Sequence, residues 1–208
     1  MGIIRLAVAS ALAMGAAAAR AAEGPVVVEL FTSQGCYSCP TVEAYLRDLA
    51  ARSDLVALEW HVDYWNELVY GAAGKWRDPF SAPEYTQRQV IYGRSLGGRV
   101  YTPQMVVDGR LEAVGSDRTA VEQALVRSAP DSAAKVPLTA AGENKGKGLH
   151  SRNVVTGLRR IGAWSGQPLQ VSVPDLELRE DEGCAVLLQG NAQGPILVAH
   201  YCPVVGPS

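Results

Sequence analysis

The chain has 208 residues, 48% of them hydrophobic and 19% charged, enough for one domain with a real core and too apolar for disorder over its whole length. Its formal net charge is −2, and no Lys/Arg-rich run or basic patch stands out, which argues against nucleic acid as a partner. Four cysteines, Cys36, Cys39, Cys184 and Cys202, allow three pairings on paper, and their spacing favours 36 with 39 and 184 with 202.

The N-terminus reads as a leader. Met1 to Arg5 is a short basic start, Leu6 to Ala19 an unbroken run of small and apolar residues, and Ala19-Arg20-Ala21 a small-x-small cleavage pattern. Together they predict a signal peptide over 1–21. The run is shorter than the roughly 20 apolar residues that span a bilayer, so membrane contact is expected only if the segment is retained. Cleavage after Ala21 removes two arginines, leaving 17 basic against 21 acidic side chains and a net charge of −4. The expected location is periplasmic or secreted, where disulfides persist.

Beyond the leader, Pro25 to Thr32 (PVVVELFT) has the composition and length of a strand. Ser33-Gln34-Gly35 breaks it just before Cys36. Thr41 to Arg52 shows helical spacing, with Val42, Tyr45, Leu46 and Leu49 on one face and Pro40 in the first turn, where a missing N–H costs little. Leu55 to Val62 reads as a second strand, parallel to the first if the crossover is right-handed. Residues 63–83 are aromatic and irregular (Tyr64, Trp65, Tyr70, Trp76, Phe80) and read as an insertion over one end of the sheet. A helix is expected over Ala82 to Tyr92, then a strand over Val100 to Val107 that contains Pro103. Asp108-Gly109 is a hairpin turn leading into Leu111 to Val114. Ser116 or Asp117 can cap a closing helix that runs through Arg127. Residues 131–150 read as a linker. From 151 to 208 the pattern is a small antiparallel β module, with strands expected at Asn153 to Leu158, Leu169 to Val173, Cys184 to Gln189 and Ile196 to Tyr201.

Cys36-Tyr37-Ser38-Cys39 is the chemical centre of this reading. A CxxC is also a zinc spacing, but the second cysteine pair lies far away in another module. A cysteine at a helix N-terminus meets unpaired N–H groups and the positive end of the dipole, which favour thiolate over thiol. Cys36 is therefore the expected nucleophile and Cys39 the resolving thiol. Thr102-Pro103 sharpens the pattern, because a proline in a central-looking strand makes sense if its bond is cis and it lies against the dithiol. His61, at the carboxyl end of the second strand, should share the dithiol's side of the sheet. It could stabilise the thiolate, act as acid or base, or hydrogen-bond Asp63 as a buried packing residue. Cys184 and Cys202 flank the last hairpin almost opposite each other, a structural disulfide worth roughly 3 kcal/mol on the loop-entropy model. His150 and His200 have no partner set that suggests chemistry.

Strand, CxxC, parallel strand and Thr-Pro before a VVDGR hairpin together resemble the thioredoxin superfamily. That resemblance implies that Pro103 is cis and touches the dithiol, and that Thr102 presents backbone to substrate. ELFTSQGCYSCP, HVDYW, the DPF near Tyr85 to Gln89, and VYTPQMVVDG are similar to the secreted proteins known as domain of unknown function 1223, over most of 25–128. This second resemblance implies a thioredoxin-like fold and export, with no settled activity. The chain departs from thioredoxin in its Tyr37-Ser38 dipeptide and in the longer path from dithiol to proline. Thioredoxin's buried acid would fall at Leu30, and Glu29 beside it points to the other face.

The sequence thus predicts an α/β, thioredoxin-like mixed sheet flanked by helices over 22–130, followed by the β module. The expected function is thiol–disulfide exchange with exported proteins or small thiols through Cys36 and Cys39, assisted by Thr102, Pro103 and His61, without an organic cofactor. One alternative is Cu(I) handling by Cys36, Cys39 and His61, since thiolates are suitable soft donors. Another is a binding protein whose disulfide is inert and whose aromatic insertion makes the contacts. The direction of exchange is not written in the sequence.

Overall fold

The computed structural model describes residues 25–68, 76–128, 153–164, 178 and 182–202. The expected leader, the linker and the strand at 169–173 lie outside the described residues. Strand β1 (Val26–Thr32) is buried at every position, as expected of a largely apolar strand covered on both faces, with Glu29 and Thr32 its two polar residues. It pairs in parallel with β2 (Leu55–His61) from Val26↔Leu55 to Thr32↔His61, with helix α1 (Pro40–Leu49) as the crossover. On its other side β1 pairs antiparallel with β3 (Gln104–Val107), which continues into β4 (Leu111–Val114). The result is a four-stranded mixed sheet in the order β2-β1-β3-β4, with a separate antiparallel pair formed by β5 (Ala185–Gln189) and β6 (Ile196–Tyr201).

Strand parity divides the core. Val26, Val28 and Leu30 of β1, with Leu55 and Ala57 of β2, pack under α1 and under α4 (Arg118–Val126). Val27, Phe31, Val56, Leu58 and Trp60 face the other way, against α3 (Pro83–Ser95) and the β5–β6 hairpin. Phe31 and Trp60 stack with centroids 6.5 Å apart, and burying rings of this size contributes roughly 2–3 kcal/mol each. Because parity is strict, Thr32, Glu59 and His61 share the α1 face, whereas Glu29 faces α3.

The turns follow their residues. Asp108 and Gly109 have φ of 51° and 63°, a left-handed pair in the tight turn that Arg110 N closes on Val107 O at 2.9 Å, between the paired Val107 and Leu111. Asp117 caps α4 by accepting from Ala120 N at 3.0 Å. Several expectations need correction. Pro103 does not interrupt a strand, because β3 begins one residue later at Gln104. Residues 153–158 supply one isolated bridge, Val154 to Glu59 on the outer side of β2, instead of a strand. The insertion holds a short helix, α2 (Trp65–Leu68), that the sequence pattern did not show. No described helix is long and apolar enough to cross a membrane.

Candidate active site

At the carboxyl end of β1 the chain turns through Ser33, Gln34 and Gly35, and Cys36 N–H donates back to Ser33 O at 3.0 Å. Cys36 and Cys39 are disulfide-bonded, with an S–S distance of 2.01 Å and Cα atoms 5.4 Å apart. The helix starts where its spacing indicated, but it does not place Cys36 at its N-terminus as expected. Pro40 is its first residue and Cys39 its N-cap, with Cys39 O accepting from Val42 N and Glu43 N at 2.8 and 2.9 Å. Cys36 therefore lies one turn before the helix, and it is Cys39 that meets the positive end of the dipole. Cys36 has instead the Ser38 hydroxyl at 3.6 Å from its sulfur. Both cysteines are 0% exposed, while the intervening Tyr37 is 73% exposed.

The Thr102-Pro103 bond is cis. Register places it beside the dithiol turn, because Gln104 pairs with Phe31 and so the preceding proline stands level with Thr32 at the end of β1. Gly115 closes the arrangement. Its N–H donates to Pro103 O at 3.0 Å, and a Cβ there would lie 2.5 Å from Val42 Cγ1 and 3.5 Å from Pro103 Cβ. A residue without a side chain is thus what lets Pro103 approach the first turn of α1. Thr102 is held from the insertion side, its Oγ1 accepting from Trp65 Nε1 at 2.8 Å. Gln89 of α3 donates to Tyr101 O at 2.6 Å and so fixes the same loop.

Behind the dithiol turn lies a buried polar cluster. His61, 0% exposed, directs Nδ1 at Asp78 Oδ2 (2.8 Å) and Nε2 at Glu59 Oε1 (2.9 Å). Burial alone would lower the imidazole pKa, but the two carboxyl partners more than offset it and push it up to about 10. Both ring nitrogens therefore carry protons and donate. Asp78 is held below the usual carboxylate range, because hydrogen bonds from His61, Gln34 N and Phe80 N outweigh its burial. Glu43, in the first turn of α1, accepts from the Thr32 hydroxyl at 2.7 Å. Burial and the nearby Glu59 push its carboxyl up to about 8, so at neutral pH it holds a proton. Its Oε2 is buried with no hydrogen-bond partner among the described residues.

The family model described as a protein of unknown function (DUF1223) matches residues 27–141, more than half of the chain and all of the dithiol site. The chain belongs to this family. It is also similar to the crystal structure of protein AGR_C_4864 from Agrobacterium tumefaciens, at 31% identity and a TM-score of 0.64 over 86% of this chain and 94% of that one. No curated protein matches the chain.

Within this DUF1223 member the sequence expectations meet the structure unevenly. Cys36, Cys39, His61, Thr102 and Pro103 all lie at one end of the sheet. Asp63, expected beside His61, bonds Thr86 of α3 instead. Glu29 is on the opposite face, in a bidentate pair with Arg88 at 2.7 and 3.0 Å. Glu43, Glu59 and Asp78 were missed. Among the described residues, no group of three or more His, Cys, Asp or Glu is arranged to hold a metal ion. Cys184 and Cys202 are joined, with Cys202 N donating to Cys184 O at 2.7 Å.

Proposed function

We propose that the protein is an exported, thioredoxin-like thiol–disulfide oxidoreductase, processed at the leader and working in the periplasm or outside the cell on protein or small-molecule thiols. The observation that carries this reading is the Cys36–Cys39 disulfide at the carboxyl edge of the sheet, level with the cis Thr102-Pro103 bond. In the oxidising direction a substrate thiolate attacks Cys36 Sγ. The Cys36–Cys39 bond breaks, Cys39 leaves as thiolate, and a mixed disulfide forms. A second substrate thiolate then displaces Cys36, so two electrons pass to the dithiol and the substrate gains a disulfide. The reverse sequence reduces a substrate. The dipole end at Cys39 favours it as a leaving thiolate, and the Ser38 hydroxyl supports thiolate at Cys36. Protonated Glu43, whose N–H reaches Cys39 O, is the nearest titratable group along the helix from Cys39.

Full burial of both sulfurs favours a second reading, in which the disulfide is inert and the surface around Tyr37 makes contacts. The Cu(I) reading has less support, since both His61 nitrogens are engaged by carboxyl groups and would leave a metal only the two sulfurs. One experiment separates the three. The mature protein is equilibrated in glutathione redox buffers, and Cys39→Ala is expressed in a native host and analysed for adducts. Exchange requires that Cys36–Cys39 be reducible in the folded state and that Cys39→Ala trap mixed disulfides, lost again in the Cys36→Ala, Cys39→Ala double variant. A folded-state disulfide resistant to glutathione, with no adducts, establishes the inert reading. Stoichiometric Cu(I) binding by the reduced protein without adducts establishes the metal one.

A further inference from the structure

Asp78 Oδ2 accepts three hydrogen bonds from two different segments: Ser33 Oγ at 3.0 Å and Gln34 N at 2.7 Å from the turn that delivers Cys36, and His61 Nδ1 at 2.8 Å from β2. Its Oδ1 accepts from Phe80 N at 3.0 Å, and its own N–H donates to Asn66 Oδ1 at 2.8 Å. Ser33 Oγ in turn accepts from Gly35 N at 3.1 Å, the residue before Cys36. One carboxylate of the insertion thus fastens the whole path from β1 to the first cysteine. Its charge is opposed by the His61 imidazolium, with Glu59 on the far side of that ring and Glu43 on α1, and the Phe80 ring lies edge-on to the imidazole at 5.4 Å. At 3% exposure such a carboxylate is costly to bury unless each partner is in place.

We infer that Asp78 is a positioning residue for the dithiol, holding the Ser33–Gln34 turn in the geometry in which Cys36 stays bonded to Cys39 and so favouring the disulfide over the dithiol. This rests on the exchange reading above. Two effects act in the same direction. The hydrogen bonds fix the turn in its closed form, and the carboxylate opposes a thiolate forming two residues beyond Gln34. The insertion is in this view part of the redox apparatus, setting how oxidising the dithiol is, besides covering the sheet end. Asp78→Ala removes both effects, while Asp78→Asn removes the charge and keeps one acceptor.

The test uses the full mature chain, with Cys184–Cys202 as an internal reference. Wild type, Asp78→Ala, Asp78→Asn and Ser33→Ala are equilibrated with glutathione at fixed pH, quenched in acid, and each disulfide is quantified by alkylation and peptide mapping. The expected result is a shift of the Cys36–Cys39 equilibrium towards the dithiol by about tenfold in Asp78→Ala and by a smaller factor in Asp78→Asn, with Cys184–Cys202 unmoved. Equal shifts at both disulfides, or wild-type behaviour at Cys36–Cys39 in the Asp78 variants, overturn the inference. If Asp78→Ala does not fold, Asp78→Asn and Ser33→Ala carry the same comparison. A wild-type dithiol that glutathione cannot reduce in the folded protein overturns the exchange reading together with the inference, whereas a reducible dithiol indifferent to Asp78 overturns the inference alone.

Discussion

Glu43 occupies the first turn of a helix, where a carboxylate ordinarily faces water and complements the dipole. Here it is 1% exposed and its pKa is raised from 4.5 to about 8. Between those values the folded chain holds a proton that the unfolded chain has released, so stability falls as pH rises through the window. His61 slopes the same way. Its contribution is complete below its unfolded value of 6.5 and is lost as pH rises towards about 10. Urea midpoints should therefore fall steadily from neutral to alkaline pH. Glu43→Gln, which keeps the shape of the protonated acid, should exceed wild type by roughly 4 kcal/mol at pH 8 and match it near pH 4.5. Equal loss at both pH values would show that Glu43 is ionised in the fold. Part of this cluster was readable in advance. Leu55, Ala57, Glu59 and His61 have one parity, so any argument placing His61 under α1 places Glu59 there as well. Glu43 was hidden because an acid beside Val42 fits a solvent-facing first turn equally well. Asp78 was hidden because it stands in irregular chain, where no periodicity says what a side chain faces.

Between the dithiol and Pro103 the decisive element is the packing of α1 on the β3–β4 hairpin. Gly115→Ala places a methyl group 2.5 Å from Val42 Cγ1, so the helix start or the proline loop must move. Thermal or urea unfolding should show a loss of about 1–3 kcal/mol, as overpacking in a filled core costs. A neutral result would mean that α1 can shift freely at its first turn. The place of Cys39 at the start of α1 yields a second expectation. With Cys39 as N-cap, Cys36 depends on Ser38 for thiolate support, so Ser38→Ala should slow iodoacetamide alkylation of reduced Cys36 by about threefold and leave Cys39 unchanged. An unchanged Cys36 rate removes the hydroxyl from the mechanism. The sequence showed a helix following the CxxC but not its first residue, since Pro40 satisfies the rules for any position in the opening turn.

The β5–β6 hairpin ties distant parts of the molecule together. Ile196 and Ala199 complete the core around Phe31 and Trp60, and Ile196 N donates to Asp108 O at 2.8 Å. Gln189 donates to Tyr92 Oη at 2.7 Å and accepts from Arg88 at 3.1 Å, joining the buried Glu29–Arg88 pair. Arg88→Ala leaves Glu29 without its ion-pair partner and should cost about 3–5 kcal/mol, measured by urea unfolding, with far less effect from Gln189→Ala. Strand periodicity revealed this hairpin, but its docking surface could not be read, because the inward residues Ala185, Leu187 and Ala199 are small or ordinary aliphatics that name no partner. Tyr201, beside the second disulfide, sends its hydroxyl to Ala57, accepting from the backbone N–H at 3.1 Å, while Asn153 Nδ2 donates to Ala57 O at 2.9 Å. Asn153 O and Val155 N engage Glu59 in the same way. The outer backbone of β2 is thereby sealed by residues that lie wholly beyond the family match at 27–141. A chain shortened to that match would leave the Ala57 and Glu59 backbone groups of this edge strand without these partners, a template on which copies recruit one another into insoluble polymers.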